Sequence, residues 1–420
     1  MATKTEELAT FVPNKNLPVY NWFYYKEGYS RELVSMLLDR HARDERTGSP
    51  QHGTSGSHSG APDSENRGIC SINVLDPFCG VGTTLLACKE RGLDSYGFDV
   101  SPLAVLAARA KTNDYDTEEI KKAIKLLQKS KFQRQDIKAV PSNVRQYFNP
   151  HTLEDVLFFR EQLKNFDSKV LDFVKLGLIT SATKCSWMYK DGAVLKVRKK
   201  PVPTFRKFYI RTLRKMLGDY MTVSAAGQPS PDGSTSSTRA YFRRREASTP
   251  ISFRPCQTFV QEADARNMPI DAGFIDLVIT SPPYLNKIEY TKIYSVEEFL
   301  FFSTPIEKRG LRAFIGVDVE ESEPVFPELP PIANAYFSDM RLVFRNLRRV
   351  CKKGATVCFV VGDGCLPEGV VHVDTLLPKI ASMEGFSLEG VEVLGVRQCT
   401  ANRVERLGQM EEVLITLRRE

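Results

Sequence analysis

Apolar residues along this chain fall into two periods. Short continuous runs bounded by turn-forming residues read as buried strands. They cover Ser71 to Leu75, Ser95 to Phe98, Thr258 to Gln261, Phe274 to Ile279 and Ala355 to Val361. Other segments carry apolar side chains at helical spacing. Thr83 to Arg91 contains Leu85, Leu86 and Cys88 and stops at Gly92, a helix terminator. Ser101 can cap the next helix, with Pro102 at its first position, followed by Leu103, Val105, Leu106 and Ala107. Residues 117–131, 152–183 and 204–220 read as helical. Met340, Val343, Phe344, Leu347 and Val350 share one helical face, expected to end at Lys352-Lys353-Gly354. Leu388 to Val396 and Glu412 to Leu417 alternate, as an antiparallel edge hairpin would. Strands alternating with helices predict an α/β fold: a Rossmann-like, doubly wound, mostly parallel sheet with an antiparallel edge hairpin.

Two stretches break the pattern. Arg40 to Gly68 is nearly devoid of apolar residues and rich in Ser and Gly, so residues 40–68 read as a disordered linker. Val223 to Pro250 begins in the same way but holds Arg243-Arg244-Arg245. The expected organisation is an N-terminal segment 1–39, the linker, an α/β domain built from 69–115 and 256–420, and a mainly helical insertion 116–255.

The strand ending at Ile279 runs into Ser281-Pro282-Pro283-Tyr284. Prolines have no N–H to give, so the ladder stops there. A serine, rigid carbonyls and an aromatic ring are thereby held at the carboxyl end of a strand, where open α/β sheets bind ligands. Such a corner suits a flat ring bearing an amine.

The first strand leads into Asp76-Pro77-Phe78-Cys79-Gly80-Val81-Gly82-Thr83-Thr84. The glycines permit a tight turn and close approach of a ligand. Asp99 closes the next strand, 23 residues after Asp76, where an acid can bind ribose hydroxyls. The loop is too short for a Walker A motif and has no lysine after its second glycine. A ligand with a ribose, a charged amino-acid tail and no phosphate fits better, and S-adenosylmethionine is such a ligand, its ammonium met by Asp76.

Together the DPFxGxGTT loop and the TSPPY corner resemble the S-adenosylmethionine-dependent amino-methyltransferases of DNA, which modify cytosine N4 or adenine N6. The resemblance covers residues 16–110 and 255–420 with gaps and implies the class I methyltransferase fold. Leu17 to Ser30 resembles the family segment that closes over the methionine end of the cofactor, which brings in Tyr25 and Ser30. Ala263-Asp264-Ala265 falls where the family contacts the adenine ring, and Val360 to Asp363 resembles a later strand end. The resemblance thus implies a cofactor set of Asp76, Phe78, Gly80, Gly82, Thr83, Asp99, Asp264, Tyr25 and Ser30, and a catalytic set of Ser281, Pro282, Pro283 and Tyr284. The order of motifs resembles members whose target-recognition region lies between the two halves.

Charge sharpens that picture. The chain has 420 residues and a net charge of +7, yet Lys184 to Lys215 holds eleven lysines and arginines against the single acid Asp191. A polyanion partner or a solvated helix face both account for the run. Inside the insertion, Lys196, Arg198, Lys199, Lys200, Arg206 and Lys207 become nucleic-acid contacts, with Arg206, Lys207, Arg211, Arg214 and Lys215 along a phosphate backbone. Trp187, Tyr189 and Phe205 are expected in the core.

Nine cysteines are scattered with no CxxC pair, and His41, His52 and His58 lie in one polar stretch. Reduced, buried thiols and no metal are expected. The absence of an apolar leader or span points to a cytoplasmic protein. Pro255-Cys256-Gln257 resembles the nucleophile motif of 5-methylcytosine enzymes, but it precedes a strand, so a structural cysteine is expected. Ser281 favours cytosine N4, in duplex DNA with a flipped target base, with a cognate restriction enzyme as a possible partner. Asn286, Lys287 and Tyr290 could line the base pocket. An RNA amino-methyltransferase, an adenine-N6 enzyme, an inactive nucleic-acid-binding module and a protein glutamine methyltransferase are the alternatives.

Overall fold

The computed structural model describes residues 8–25, 28–41, 72–191, 194–226, 251–285, 290–302, 324–401 and 405–420. The linker expectation for 40–68 falls almost wholly outside them, as do Arg243 to Arg245, Asn286 and Lys287.

The described chain opens with helix α1 (Arg31–His41), then strand β1 (Asn73–Asp76), α2 (Thr83–Arg91), β2 (Asp94–Asp99) and α3 (Pro102–Thr112). The insertion follows with α4 (Thr117–Lys129), α5 (Pro150–Gln162), α6 (Ser168–Lys184), the hairpin β3 (Met188–Asp191) and β4 (Val194–Val197), and α7 (Phe205–Ala226). The sheet resumes with β5 (Thr258–Glu262) and β6 (Ile275–Thr280), then α8 (Ser295–Phe301), α9 (Pro331–Val350) and β7 (Cys351–Gly362). A small hairpin, β8 (Gly364–Leu366) and β9 (Gly369–Val371), precedes α10 (Val373–Met383), β10 (Phe386–Ala401) and β11 (Glu405–Arg419).

The main sheet has seven strands in the order β10-β11-β7-β6-β1-β2-β5. Strands β5, β2, β1, β6 and β7 are mutually parallel, and β11 pairs antiparallel with both neighbours. Only β11 runs against the rest, which is the Rossmann-like class I methyltransferase arrangement. The chain winds outward from β1 through β2 to β5, then returns to place β6 on the other side of β1. That reversal opens a crevice beyond the carboxyl ends of β1 and β6.

Burial follows the two-residue period. Leu75, Val278, Val357, Phe359 and Ile415 face α9 and α10, whereas Val74, Leu277, Ile279, Cys358 and Leu414 face α1 and α2. A third core joins residues 11–25 and α3 to α4 through α7. The insertion therefore shares its apolar interior with the N-terminal segment, as in the edge-on contact of Trp22 with Phe173 at 5.5 Å. No described helix is long and apolar enough to cross a membrane.

Several expectations are corrected. Residues 152–183 form two helices, because Phe166 and Asp167 are extended and Ser168 adopts φ 45°, turn geometry that the apolar spacing on either side conceals. The face from Met340 to Val350 ends at Val350 rather than at Gly354. The incoming loop supplies the terminating donors: Gly273 N–H donates to the Arg349 carbonyl at 2.9 Å and Phe274 N–H to that of Val350 at 2.7 Å. No glycine cap is then required, and Lys352, Lys353 and Gly354 lie in β7. The basic run continues from the hairpin β3–β4 into α7, whose helix matches the expected 204–220. Not all described thiols are free: Cys365 on β8 and Cys399 on β10 form a disulfide, 34 residues apart in sequence, a proximity created by two hairpins.

Candidate active site

Two loops meet at the crevice. The first leaves β1 at Asp76 and enters α2 at Thr83, which is buried like Asp76. Gly82 has φ 80°, and a Cβ there would lie 3.0 Å from the Ala108 Cβ and 3.1 Å from its Cα. Only glycine lets the loop sit on α3 in that conformation. Cys79 N–H donates to the Phe98 carbonyl at 2.8 Å, tying the loop to β2. Phe78, half-buried, packs on the α9 side.

Asp99 ends β2 beside this loop. Its carboxylate accepts the Gly80 N–H at 3.0 Å and the Ser101 N–H at 2.9 Å. Burial outweighs those two bonds and pushes its pKa up to about 6. Glu298 on α8 faces the same place. Burial, then the neighbouring Glu297, raises it to about 8, against a hydrogen bond from Ser101. The two acids and Ser101 form a rim suited to hydroxyl donors.

The N-terminal segment lies against the loop. The Tyr25 ring lies 3.7 Å from where a Gly80 Cβ would be. It stacks on Tyr294 with centroids 4.8 Å apart and an interplanar angle of 7°. Lys190 of β3 sits over the other end of this column, 3.4 Å from the Tyr294 centroid, and pairs with buried Glu297 at 2.8 Å. Ser30 is fully buried, and its Oγ accepts the Leu33 N–H at 3.1 Å at the start of α1.

Asp76 joins the two loops. Its Oδ1 accepts from the Thr280 hydroxyl at 2.6 Å, its Oδ2 from the Tyr29 hydroxyl at 2.9 Å, and Tyr29 also bonds Thr84. Burial pushes the carboxyl up, and the surrounding hydroxyls offset only part of that rise. With the Thr280 and Tyr29 hydroxyls and the Phe78 N–H at 3.2 Å already donating to it, Asp76 acts first as a tie between the glycine loop and the corner.

The corner follows Thr280. Ser281 and Pro283 are half-buried and Pro282 is buried. Tyr284 is 8% exposed, with its hydroxyl on Glu412 at 2.8 Å. Asp264 lies near β5, where its carboxylate pairs with Arg266 at 2.6 Å, and Arg266 reaches Asp339 at 2.8 Å. Cys256 precedes β5, at the opposite edge of the sheet, and burial raises its thiol pKa.

The basic residues divide. Lys196, Arg198, Lys199, Lys200 and Lys207 are exposed. Lys196 pairs with Asp191 at 2.7 Å, Arg198 lies over Tyr189 and Lys199 over Trp187. Tyr189 is 44% exposed, contrary to its expected core position, whereas Phe205 is buried. Arg206 turns inward: it pairs with Asp155 at 2.7 Å and covers Phe132, so the expected stripe along α7 loses its first member to the fold.

Sequence reading missed Tyr29, Thr280, Tyr294, Glu298 and Glu412. Thr280 carried a signal, as a hydroxyl next to the prolines at a buried strand end. Tyr29 lay within the Leu17–Ser30 segment beside Ser30, whereas Tyr294, Glu298 and Glu412 come from distant segments with no local motif.

No protein-family model matches the chain. It is 24% identical over 482 aligned positions to the Type II methyltransferase M.BsoBI of Geobacillus stearothermophilus, spanning 98% of this chain and 87% of that one. It is likewise 24% identical over 455 positions to the Type II methyltransferase M.AvaI of Nostoc sp., spanning 93% and 83%. The Type II methyltransferase M.MjaII of Methanocaldococcus jannaschii shares 45% over 51 positions, 12% of this chain and 10% of its own.

Proposed function

We propose that this chain is an S-adenosylmethionine-dependent DNA methyltransferase acting on an exocyclic base amine, cytosine N4 in particular. One observation carries the reading. Asp76 bonds both Thr280, beside the SPPY corner, and Tyr29, over the glycine loop, so a cofactor pocket and an amine-accepting corner share one wall. The near full-length similarity to Type II methyltransferases supports it.

The residues present fit the cofactor. Asp99, with Glu298 beside it, offers acceptors for ribose hydroxyls. Gly80, Gly82 and Thr83 let the backbone approach the ligand, Tyr25 covers it, and Phe78 and the Asp264 turn border the base end. When bound, the cofactor supplies an electrophilic methyl group on sulfonium. The chain's own task is to make a weak nucleophile attack it. An exocyclic amine delocalises its lone pair into the ring. The Ser281 hydroxyl and the Pro282 carbonyl accept its two hydrogens, draw them out of plane and localise the lone pair. Pro283 keeps the corner rigid, and Tyr284 bounds the base. The gain is positioning and electrostatics.

Residues 116–255 serve as the target-recognition region, with exposed Lys196, Arg198, Lys199, Lys200 and Lys207 meeting phosphates. In a duplex the target base must be flipped out.

The test is incubation of the protein with labelled S-adenosylmethionine and separate DNA, rRNA and tRNA pools, followed by nucleoside mass spectrometry. N4-methyldeoxycytidine is expected. N6-methyldeoxyadenosine would overturn the base assignment, and label confined to RNA would overturn the substrate.

A further inference from the structure

We propose that Glu412 is a positioning residue for the SPPY corner: it holds the Tyr284 hydroxyl and so fixes the ring that bounds the incoming base. This inference rests on the reading that the corner receives that base.

A tyrosine at the end of a loop can turn about two side-chain torsions. Here both are constrained by strands outside the loop. The ring lies on β7 at Gly362, where a Cβ would be 3.0 Å from both Cδ2 and Cε2. Any larger residue at 362 would push the ring away. The hydroxyl donates to Glu412 Oε1 at 2.8 Å. Glu412 sits directly opposite Gly362 in the β7–β11 register, so floor and anchor belong to one cross-strand pair.

The anchor is itself held. Glu412 is 6% exposed, and its second oxygen accepts from Arg397 on β10 at 3.1 Å. Burying a carboxylate is unfavourable unless its acceptors are used. Arg397 is about half exposed and would find water without a buried partner. The tyrosine hydroxyl is the partner that needs an acceptor at this depth. A phenol-to-carboxylate bond is charge-assisted and directional, which suits a role in orienting a ring. The edge hairpin thereby acts on the corner: β10 and β11 set the plane in which a base must lie.

The test compares the full-length protein with Tyr284→Phe, Glu412→Ala, Glu412→Gln and the double variant Tyr284→Phe/Glu412→Ala. The readouts are methyl transfer to DNA and separate titration of S-adenosylmethionine binding. Tyr284→Phe and Glu412→Ala should each lower kcat tenfold or more, with cofactor affinity within twofold of the parent. Glu412→Gln keeps a carbonyl to accept the same hydroxyl and should recover most of the lost rate. The double variant should be no slower than either single one. Should Glu412→Ala fail to fold, Tyr284→Phe with and without Glu412→Gln gives the same comparison. Parent-like kcat in Tyr284→Phe, or multiplicative losses in the double variant, would overturn the proposal while the function stands. A parent protein inert toward DNA would overturn both.

Discussion

Asp99 shows how one side chain can report its ligand. Burial raises its carboxyl to about 6, above the value of about 4 expected in an unfolded chain. Between those values the unliganded fold holds a proton that the unfolded chain has released, so Asp99 costs stability as pH rises through that window. The ionised carboxylate is the stronger acceptor for ribose hydroxyls. Affinity for S-adenosylmethionine should therefore fall as pH drops through about 6, and Asp99→Asn should weaken binding at least tenfold and flatten that dependence. Calorimetric titration from pH 5 to 8 checks this; a flat profile in the parent would remove Asp99 from the site. This residue was legible in the sequence because a strand end and a preceding glycine loop locate it. Glu298, from α8, was not, since only tertiary packing sets it beside Ser101. The same holds for Tyr284: its place in the corner was plain, but its partner Glu412 lies 128 residues on.

Among the elements, α3 binds the N-terminal segment through an unusual contact. Lys111 is 1% exposed, its ammonium reaches the Phe23 carbonyl at 3.4 Å and lies 5.7 Å from the Phe11 ring. Burial pushes its pKa down to about 7. The unfolded chain binds a proton between about pH 7 and 10 that the folded chain does not, so stability rises with pH across that window. Lys111→Met should raise the unfolding midpoint by several degrees at pH 7, and the gain should shrink toward pH 10. Thermal unfolding across that range decides it, and a pH-independent gain would deny the lysine its cost. The pattern predicted α3 as a helix because Ser101, Pro102 and the apolar spacing agree. It could not show that α3 is buried nearly all round, because much of the covering surface comes from distant elements, α6 and β5 among them, with Phe11 and Phe23 closing over Lys111. Strands β1, β2, β5 and β6 were legible for their apolar runs. The β3–β4 hairpin was hidden because its strands are only four residues each and carry Lys190, Asp191 and Lys196, which mask the period-two alternation.

At the scale of the molecule, the column Lys190–Tyr294–Tyr25 runs from the basic hairpin to the glycine loop. The basic hairpin is thus built against the glycine-loop side of the crevice. Replacing Lys196, Arg198, Lys199 and Lys200 by Gln should reduce the slope of log affinity for DNA against log salt by about three to four, in proportion to the number of phosphates no longer neutralised. Fluorescence anisotropy over a salt series measures it, and an unchanged slope would take the hairpin off the DNA.

The sheet itself carries a consequence for biosynthesis. Central strand β1 pairs with β6 at Val74 and Leu277, and the Asn73 N–H that opens it bonds Asp276, 203 residues away. At translation rates of about 5–20 residues per second, β1 waits roughly 10–40 s on the ribosome for its neighbour. The helices of the insertion emerge in that interval and can condense before β1 gains its second neighbour. A nascent chain stalled before residue 275 would expose one bare edge of β1, the kind of edge that chaperones and stray strands both recognise.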